Sequence, residues 1–189
     1  MKLITANLVE ELNQLTKPSE HISWITAFTM ESGVKEVLDS LKAAQANGAV
    51  IQILTGDYLY ITQPKALRLL LTELPNAEIR LYQARGKSFH PKAYLFRHTS
   101  TQYLIVGSSN LSKSALTTGV EWSLQTVDEP TFEHAMDEFT KLFYAEQTIP
   151  LNEYTLQAYE NNYCKANEVM KLSNQWDKSE GTQMMFGSR

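Results

Sequence analysis

HISWITAF (residues 21–28), AVIQILTG (49–56) and EIRLYQ (78–83) are the stretches from which the fold is read. Each is short and rich in β-branched or aromatic residues, the composition of a strand. AVIQILTG is apolar enough to be buried on both faces. Between them lie two patterns of helical period. Residues 31–47 place Val34, Val37, Leu38 and Leu41 on one face and end at Asn47-Gly48, a pair suited to a left-handed cap. Residues 64–74 begin with Pro64, which is tolerated in a first turn. The order β-α-β-α-β predicts parallel strands joined by crossover helices.

Outward from this core the pattern changes. KAYLFR (92–97) and QYLIVGS (102–108) are strands separated by four residues, His98 to Thr101, short enough for an antiparallel hairpin. Residues 111–116 predict a short helix, VEWSLQTV (120–127) a further strand, and 131–144 and 154–170 two more helices. Toward the N-terminus, Leu8, Val9, Leu12 and Leu15 predict a helix over 6–17, stopped by Pro18. The expected class is α/β: a mixed, largely parallel β-sheet flanked by helices on both faces. One domain is expected over 1–150. Residues 151–189 are expected to form a C-terminal helix and a polar tail that links to a further domain. After about Ser173 the composition is polar and irregular, with Trp176, Met184, Met185 and Phe186 as a candidate docking stub.

Composition excludes several classes. With 189 residues, 43% apolar and 20% charged, the chain has the makings of a packed core. It has no apolar run long enough to cross a bilayer and no secretory leader pattern, so a cytoplasmic protein without membrane association is expected. A single cysteine, Cys164, allows neither an intrachain disulfide nor a cysteine-based zinc site. Net charge is −4, yet Ile79 to Val120 contains no Asp or Glu. Those 42 residues carry Arg80, Arg85, Lys87, Lys92, Arg97 and Lys113. An acidic chain with one acid-free basic block can still build a local anion site.

The chemistry concentrates in SFHPKAYLF (88–96) and YLIVGSSNLSKSALTTGVEWSL (103–124). His90 and Lys92 are two apart, so on an extended strand both project to one side. Gly107-Ser108-Ser109-Asn110 follows a strand and offers backbone N–H groups, hydroxyls and an amide, neutral donors for phosphate oxygens. Lys92 adds a point charge, and His90 can act as nucleophile, acid or base near neutral pH. Glu121 is the first acid after the acid-free block. Phe89, Tyr94, Phe96 and Trp122 are read as sheet packing rather than as stacking platforms. His21, His98 and His134 have no Lys two residues on and are read as structural or surface groups.

His90-x-Lys92 with Gly107-Ser108-x-Asn110 resembles the HxK…GSxN signature of the phospholipase D superfamily, over about residues 21–145. The superfamily's Asp five residues after the Lys is replaced here by Arg97, which resembles the nuclease branch that includes metal-independent restriction endonucleases. The local string also looks like HKD domains fused to bacterial helicases. The resemblance implies a phospholipase D-like α/β/α sandwich and a metal-independent phosphodiesterase that needs no cofactor. In that reading His90 attacks phosphorus to form a phosphohistidine. Lys92 and Asn110 hold the non-bridging oxygens with help from Ser108, and Glu121 orients His90. Ser109, Lys113, Arg85 and Lys87 are candidate substrate contacts.

The mechanism that the resemblance implies uses two such histidines, and this chain has one HxK. A homodimer with a composite site at its dyad is therefore expected. DNA is the expected substrate, with a fused or associated helicase, ATPase or DNA-recognition domain as partner. Two alternatives stay open: a non-catalytic module that binds nucleic-acid backbone, and a phospholipid phosphodiesterase or transferase.

Overall fold

The structure is a computed structural model that describes the backbone of residues 1–186 and the side chains of residues 1–175. The chain order is β1 (Lys2–Ile4), α1 (Leu8–Thr16), β2 (His21–Thr26), α2 (Glu31–Ala46), β3 (Val50–Gly56), a 3-10 turn (Tyr58–Tyr60) and α3 (Pro64–Glu73). It continues with β4 (Glu78–Tyr82), β5 (Lys92–Arg97), β6 (Gln102–Gly107), α4 (Lys113–Leu116), β7 (Ser123–Thr126), α5 (Glu129–Phe143), β8 (Thr148–Pro150) and α6 (Glu153–Phe186). Gly48 takes φ 87° just after α2, the left-handed conformation that its place in the sequence predicts.

The strands form one mixed sheet in the order β1-β7-β6-β5-β2-β3-β4-β8. Parallel pairing is narrower than the sequence reading expects. It is confined to β2–β3 and β3–β4, each fed by a crossover helix. The other pairings are antiparallel. The reason is topological. The β5–β6 hairpin joins the free edge of β2, and local periodicity carries no information about which edge a hairpin will choose. β1 and β8 are edge strands of three residues, too short to show an alternation.

Side chains alternate across this sheet. Ile22 and Trp24 of β2, Ile51 and Ile53 of β3, and Tyr94 and Phe96 of β5 face α1, α2, α3 and the start of α6. Trp24 packs edge-on against Tyr94 and Phe96, with ring centroids 5.3 and 5.9 Å apart. Each such fully buried side chain contributes about 1.5–3 kcal/mol of transfer free energy. On the opposite face Ile25, Leu54, Leu95 and Leu104 meet Phe132, Phe139 and Phe143 of α5. Helices thus cover both faces. Beyond α5 one cross-strand row stays open: Leu3 pairs with Leu124, Leu124 pairs with Val106, and the three are 54%, 43% and 48% exposed.

Leu156 and Tyr159 anchor α6 in the main core. The helix then continues through the stretch that reads as irregular in the sequence. Gln, Ser, Lys and Glu are compatible with helix but supply no apolar face by which to recognise one. The side chains of Trp176, Met184, Met185 and Phe186, the candidate docking stub, lie outside the described residues. No helix among the described residues is long and apolar enough to cross a membrane.

Candidate phosphodiester site

Three separate segments meet where β2 ends and β5 begins. Lys92 opens β5 and pairs with Thr26 at the end of β2. Just before it, Phe89 is buried and stacks on Tyr82, with centroids 4.3 Å apart. A Cβ at Gly56 would strike the Phe89 ring, so glycine there lets β3 admit this anchor. His90, next in the chain, is exposed, and its ring stands edge-on to Phe28 at 5.7 Å and to Tyr58 at 5.1 Å. The Lys92 ammonium donates to the His90 carbonyl at 2.8 Å, which curls this short segment on itself.

The loop after β6 is locked against the loop after β2. Asn110 Oδ1 accepts the Phe28 N–H at 3.0 Å, the Leu111 carbonyl accepts the Met30 N–H at 2.8 Å, and Thr29 bridges to Leu111. A backbone N–H can only donate, so this bond fixes the amide orientation of Asn110 and leaves its NH2 group as the free donor. Gly33 of α2 packs so close to the Leu111 carbonyl that any side chain there would collide. Phe28 therefore touches both candidate elements: its ring meets His90 edge-on and its N–H holds Asn110.

The other expected site residues are placed as follows. Ser108 is exposed, and its hydroxyl oxygen accepts the Trp122 N–H at 3.0 Å, which ties the loop to the start of β7. Ser109 corrects an expectation: it is 1% exposed, its hydroxyl donates to the Ala115 carbonyl, and its own carbonyl accepts the Tyr94 hydroxyl at 2.8 Å. Its side chain thus serves the loop and does not reach solvent. Burial, with the Glu121 charge adding to it, pushes the Tyr94 hydroxyl pKa well up, so it stays a donor. Glu121 is half-buried near Tyr94 and forms no ion pair with His90 of its own chain. Lys113 opens α4 and lies 3.9 Å from Glu36. Arg85 and Lys87 are exposed on a tight turn in which Arg85 and Gly86 both have positive φ and the Lys87 N–H closes on the Ala84 carbonyl.

The basic block is less uniform in space than in sequence. Arg97 pairs with Glu133 and lies over the Phe132 ring, and Arg80 pairs with Glu78. Arg85, Lys87 and Lys92 make no ion pair among the described residues. The remaining histidines sit elsewhere: His21 on Gln52, His98 on the Leu15 carbonyl and His134 near Glu138. His98 follows the far end of β5, about 20 Å along the strand from Lys92. Among the described residues no group of three His, Cys, Asp or Glu converges as a metal site would require.

Sequence reasoning missed what lies beneath and beside His90. Four threonines, Thr26, Thr29, Thr55 and Thr62, are fully buried under the β2 and β3 ends. The Thr29 hydroxyl donates to Thr55 at 2.8 Å, and the Thr62 hydroxyl accepts the Thr29 N–H while donating to the Gly56 carbonyl. Beside them, Leu59 and Tyr60 have φ 55° and 51°, a left-handed pair costing on the order of 1–3 kcal/mol each. Three restraints hold it. Asp57 Oδ1 accepts the Ala84 N–H at 2.7 Å, Tyr60 N–H donates to the Asp57 carbonyl, and Tyr60 stacks on Tyr159. Burial raises the Asp57 carboxyl pKa, partly offset by that N–H donor. No sequence signal points to these groups, because they come from loops that only strand register brings together.

The profile of the family described as "Cardiolipin synthase, PLD-like domain" matches residues 12–143. No curated protein matches the chain. Among solved structures, NucT from Helicobacter pylori superposes with a TM-score of 0.64 at 16% identity, covering 79% of this chain and 98% of that one. Nuc from Salmonella typhimurium, a phospholipase D family member, gives 0.60 at 14% identity, covering 80% and 99%. The phosphatidylserine synthase of Haemophilus influenzae Rd KW20 gives 0.63 at 14% identity, covering 97% of this chain and 46% of that one. At such identities the likeness is one of fold.

Proposed function

The chain belongs to the PLD-like domain family, and from that premise we propose that it is a phosphodiester hydrolase acting on DNA without a metal ion. A His90 ring nitrogen attacks phosphorus, the bond to the leaving oxygen breaks, and that oxygen takes a proton from a second imidazole. Water then attacks the phosphohistidine while the second imidazole takes a proton from it, the P–N bond breaks and His90 is freed. The products are a phosphomonoester and an alcohol. Splitting one displacement into two is what a nucleophilic side chain contributes. Lys92 and the Asn110 amide stabilise the charge that builds on the non-bridging oxygens.

One observation carries this reading: Phe28 holds His90 by its ring and Asn110 by its N–H, so the nucleophile and an oxygen-binding donor are positioned from one residue. The exposed cations Arg85 and Lys87, on the turn that leads into His90, favour a polyanion over an isolated small diester.

The second imidazole comes from another copy of the chain across a dyad, because the three other histidines of one copy have partners away from His90. The open row of Leu3, Leu124 and Val106, next to the exposed Trp122 and Val120, supports a copy seated against the sheet beside Ser108. Recognition of particular sequences would fall to an attached helicase-type or restriction-type domain.

A single experiment tests the activity. Plasmid and oligonucleotide DNA are incubated with the protein in excess EDTA, in parallel with His90→Ala. Cleavage by the parent alone supports the hydrolase. DNA binding without cleavage, with or without chelator, would leave a non-catalytic backbone-binding module, the reading favoured by the lone imidazole of a single copy.

A further inference from the structure

We propose that Tyr58, Phe28 and Leu59 form an apolar lip that receives the unpaired base next to the phosphate held at His90, so that single-stranded nucleic acid is the preferred substrate. This rests on the phosphodiesterase reading and adds a specificity determinant to it. Tyr58 and Phe28 stand on the His90 ring at 5.1 and 5.7 Å, and both are partly open to solvent. Leu59, between Tyr58 and the strained Tyr60, is 61% exposed. A large apolar side chain held outward in a left-handed conformation, next to two open rings, gains nothing from the core of its own chain.

The lip is rigid before any ligand arrives. Asp57 fixes its root through the Ala84 N–H and the Tyr82 carbonyl, and the Tyr60–Tyr159 stack fixes its far side. Tyr159 is itself held by donating its hydroxyl to the Thr62 carbonyl at 2.6 Å. A preformed platform loses little conformational freedom on binding. An aromatic ring stacks on any base whose face is free. In a duplex both faces of a base are covered by its neighbours, so the same contact first requires extruding it. Arg85 and Lys87, exposed on the turn after β4, extend a track for the sugar-phosphate backbone.

Binding is read by fluorescence anisotropy at fixed salt, with a labelled oligonucleotide, its duplex and phosphatidylglycerol vesicles as probes. The parent is expected to bind the single strand about tenfold or more tighter than the duplex. Tyr58→Ala is expected to remove most of that preference, and Tyr58→Phe, which keeps the ring, to preserve it. Leu59→Asn, which tolerates the left-handed backbone, is expected to weaken single-strand binding a few-fold without lowering Tm. Equal or tighter duplex binding, equal losses on both probes in Tyr58→Ala, a Tyr58→Phe as weak as Tyr58→Ala, or binding to vesicles with no strand preference would each overturn the lip. Binding is scored apart from cleavage. Cleavage abolished by His90→Ala with no strand preference sinks the lip alone, while a Tyr58-dependent preference without cleavage sinks the hydrolase alone.

Discussion

At the end of β5 nearest β2's C-terminus, His90 and Lys92 have no acid partner among the described residues. At the other end of the same strand, Arg97 and His98 are equally polar and equally basic, yet each is committed. Arg97 lies on Glu133 and the Phe132 ring, His98 bonds the Leu15 carbonyl, and His21, across from Arg97, meets Gln52 and Ser23. Thr99 closes the group by donating to Glu20. The two ends share residue types and differ in how far those residues are satisfied. Polar groups that fold stability does not consume are available for a ligand, and of the two ends of β5 it is the Lys92 end that keeps cations without an acid partner among the described residues.

The sharpest way to break this contrast is to exchange histidines. His90→Ala is expected to lower turnover on DNA by about a thousandfold or more, since it removes the proposed nucleophile. His98→Ala is expected to leave turnover intact and lower Tm modestly, because it removes one of the two side-chain partners of the Leu15 carbonyl, leaving the Ser19 hydroxyl, and the ring contact with Tyr103. A steady-state assay and a thermal melt on each variant decide it, and reversed results would exchange the functional and structural ends.

Next in size are the cations. Lys92→Ala is expected to reduce turnover about a hundredfold with Tm nearly unchanged, because Lys92 bonds only the His90 carbonyl. Arg97→Ala is expected to cost about 1 kcal/mol in chemical denaturation, from an exposed ion pair and a cation–π contact, with turnover unchanged. A smaller loss is expected for Glu121→Gln, less than for His90→Ala; turnover equal to the parent's would remove Glu121 from the site.

The smallest expected effect concerns the root of the Tyr58 loop. Burial raises the Asp57 pKa, so its folded value lies above its unfolded one. Folding then favours the protonated form, and stability falls as pH rises through the interval between the two values. Asp57→Asn keeps an oxygen for the Ala84 N–H and removes the charge. Its Tm is expected to be no lower than the parent's at about pH 7, with the advantage shrinking toward about pH 4. A Tm well below the parent's at about pH 7 would mean that the carboxylate itself is needed.

The sequence made some of this contrast visible. The pair His90 and Lys92 and the run Gly107 to Asn110 are local, and a two-residue or four-residue spacing on a strand end is legible without a fold. The parallel β2–β3–β4 unit is legible for the same reason, since each strand and crossover helix carries its own period. What stayed hidden is non-local. Phe28, Tyr58 and Thr62 reach His90 or its floor only through the register of β2 with β3 and β5. Ser109 reads as a ligand from its place between Ser108 and Asn110, but in the loop after β6 its hydroxyl turns inward to the Ala115 carbonyl. The basic block overstated the free charge because Glu78 and Glu133, outside its bounds, fold back onto Arg80 and Arg97.

The double contact of Phe28 has a mechanical corollary. Backbone and ring of one residue act as a common axle, so a shift at that position displaces the proposed nucleophile His90 and the Asn110 amide together. Half-assembled centres, with one member correct and the other displaced, are thereby made scarce.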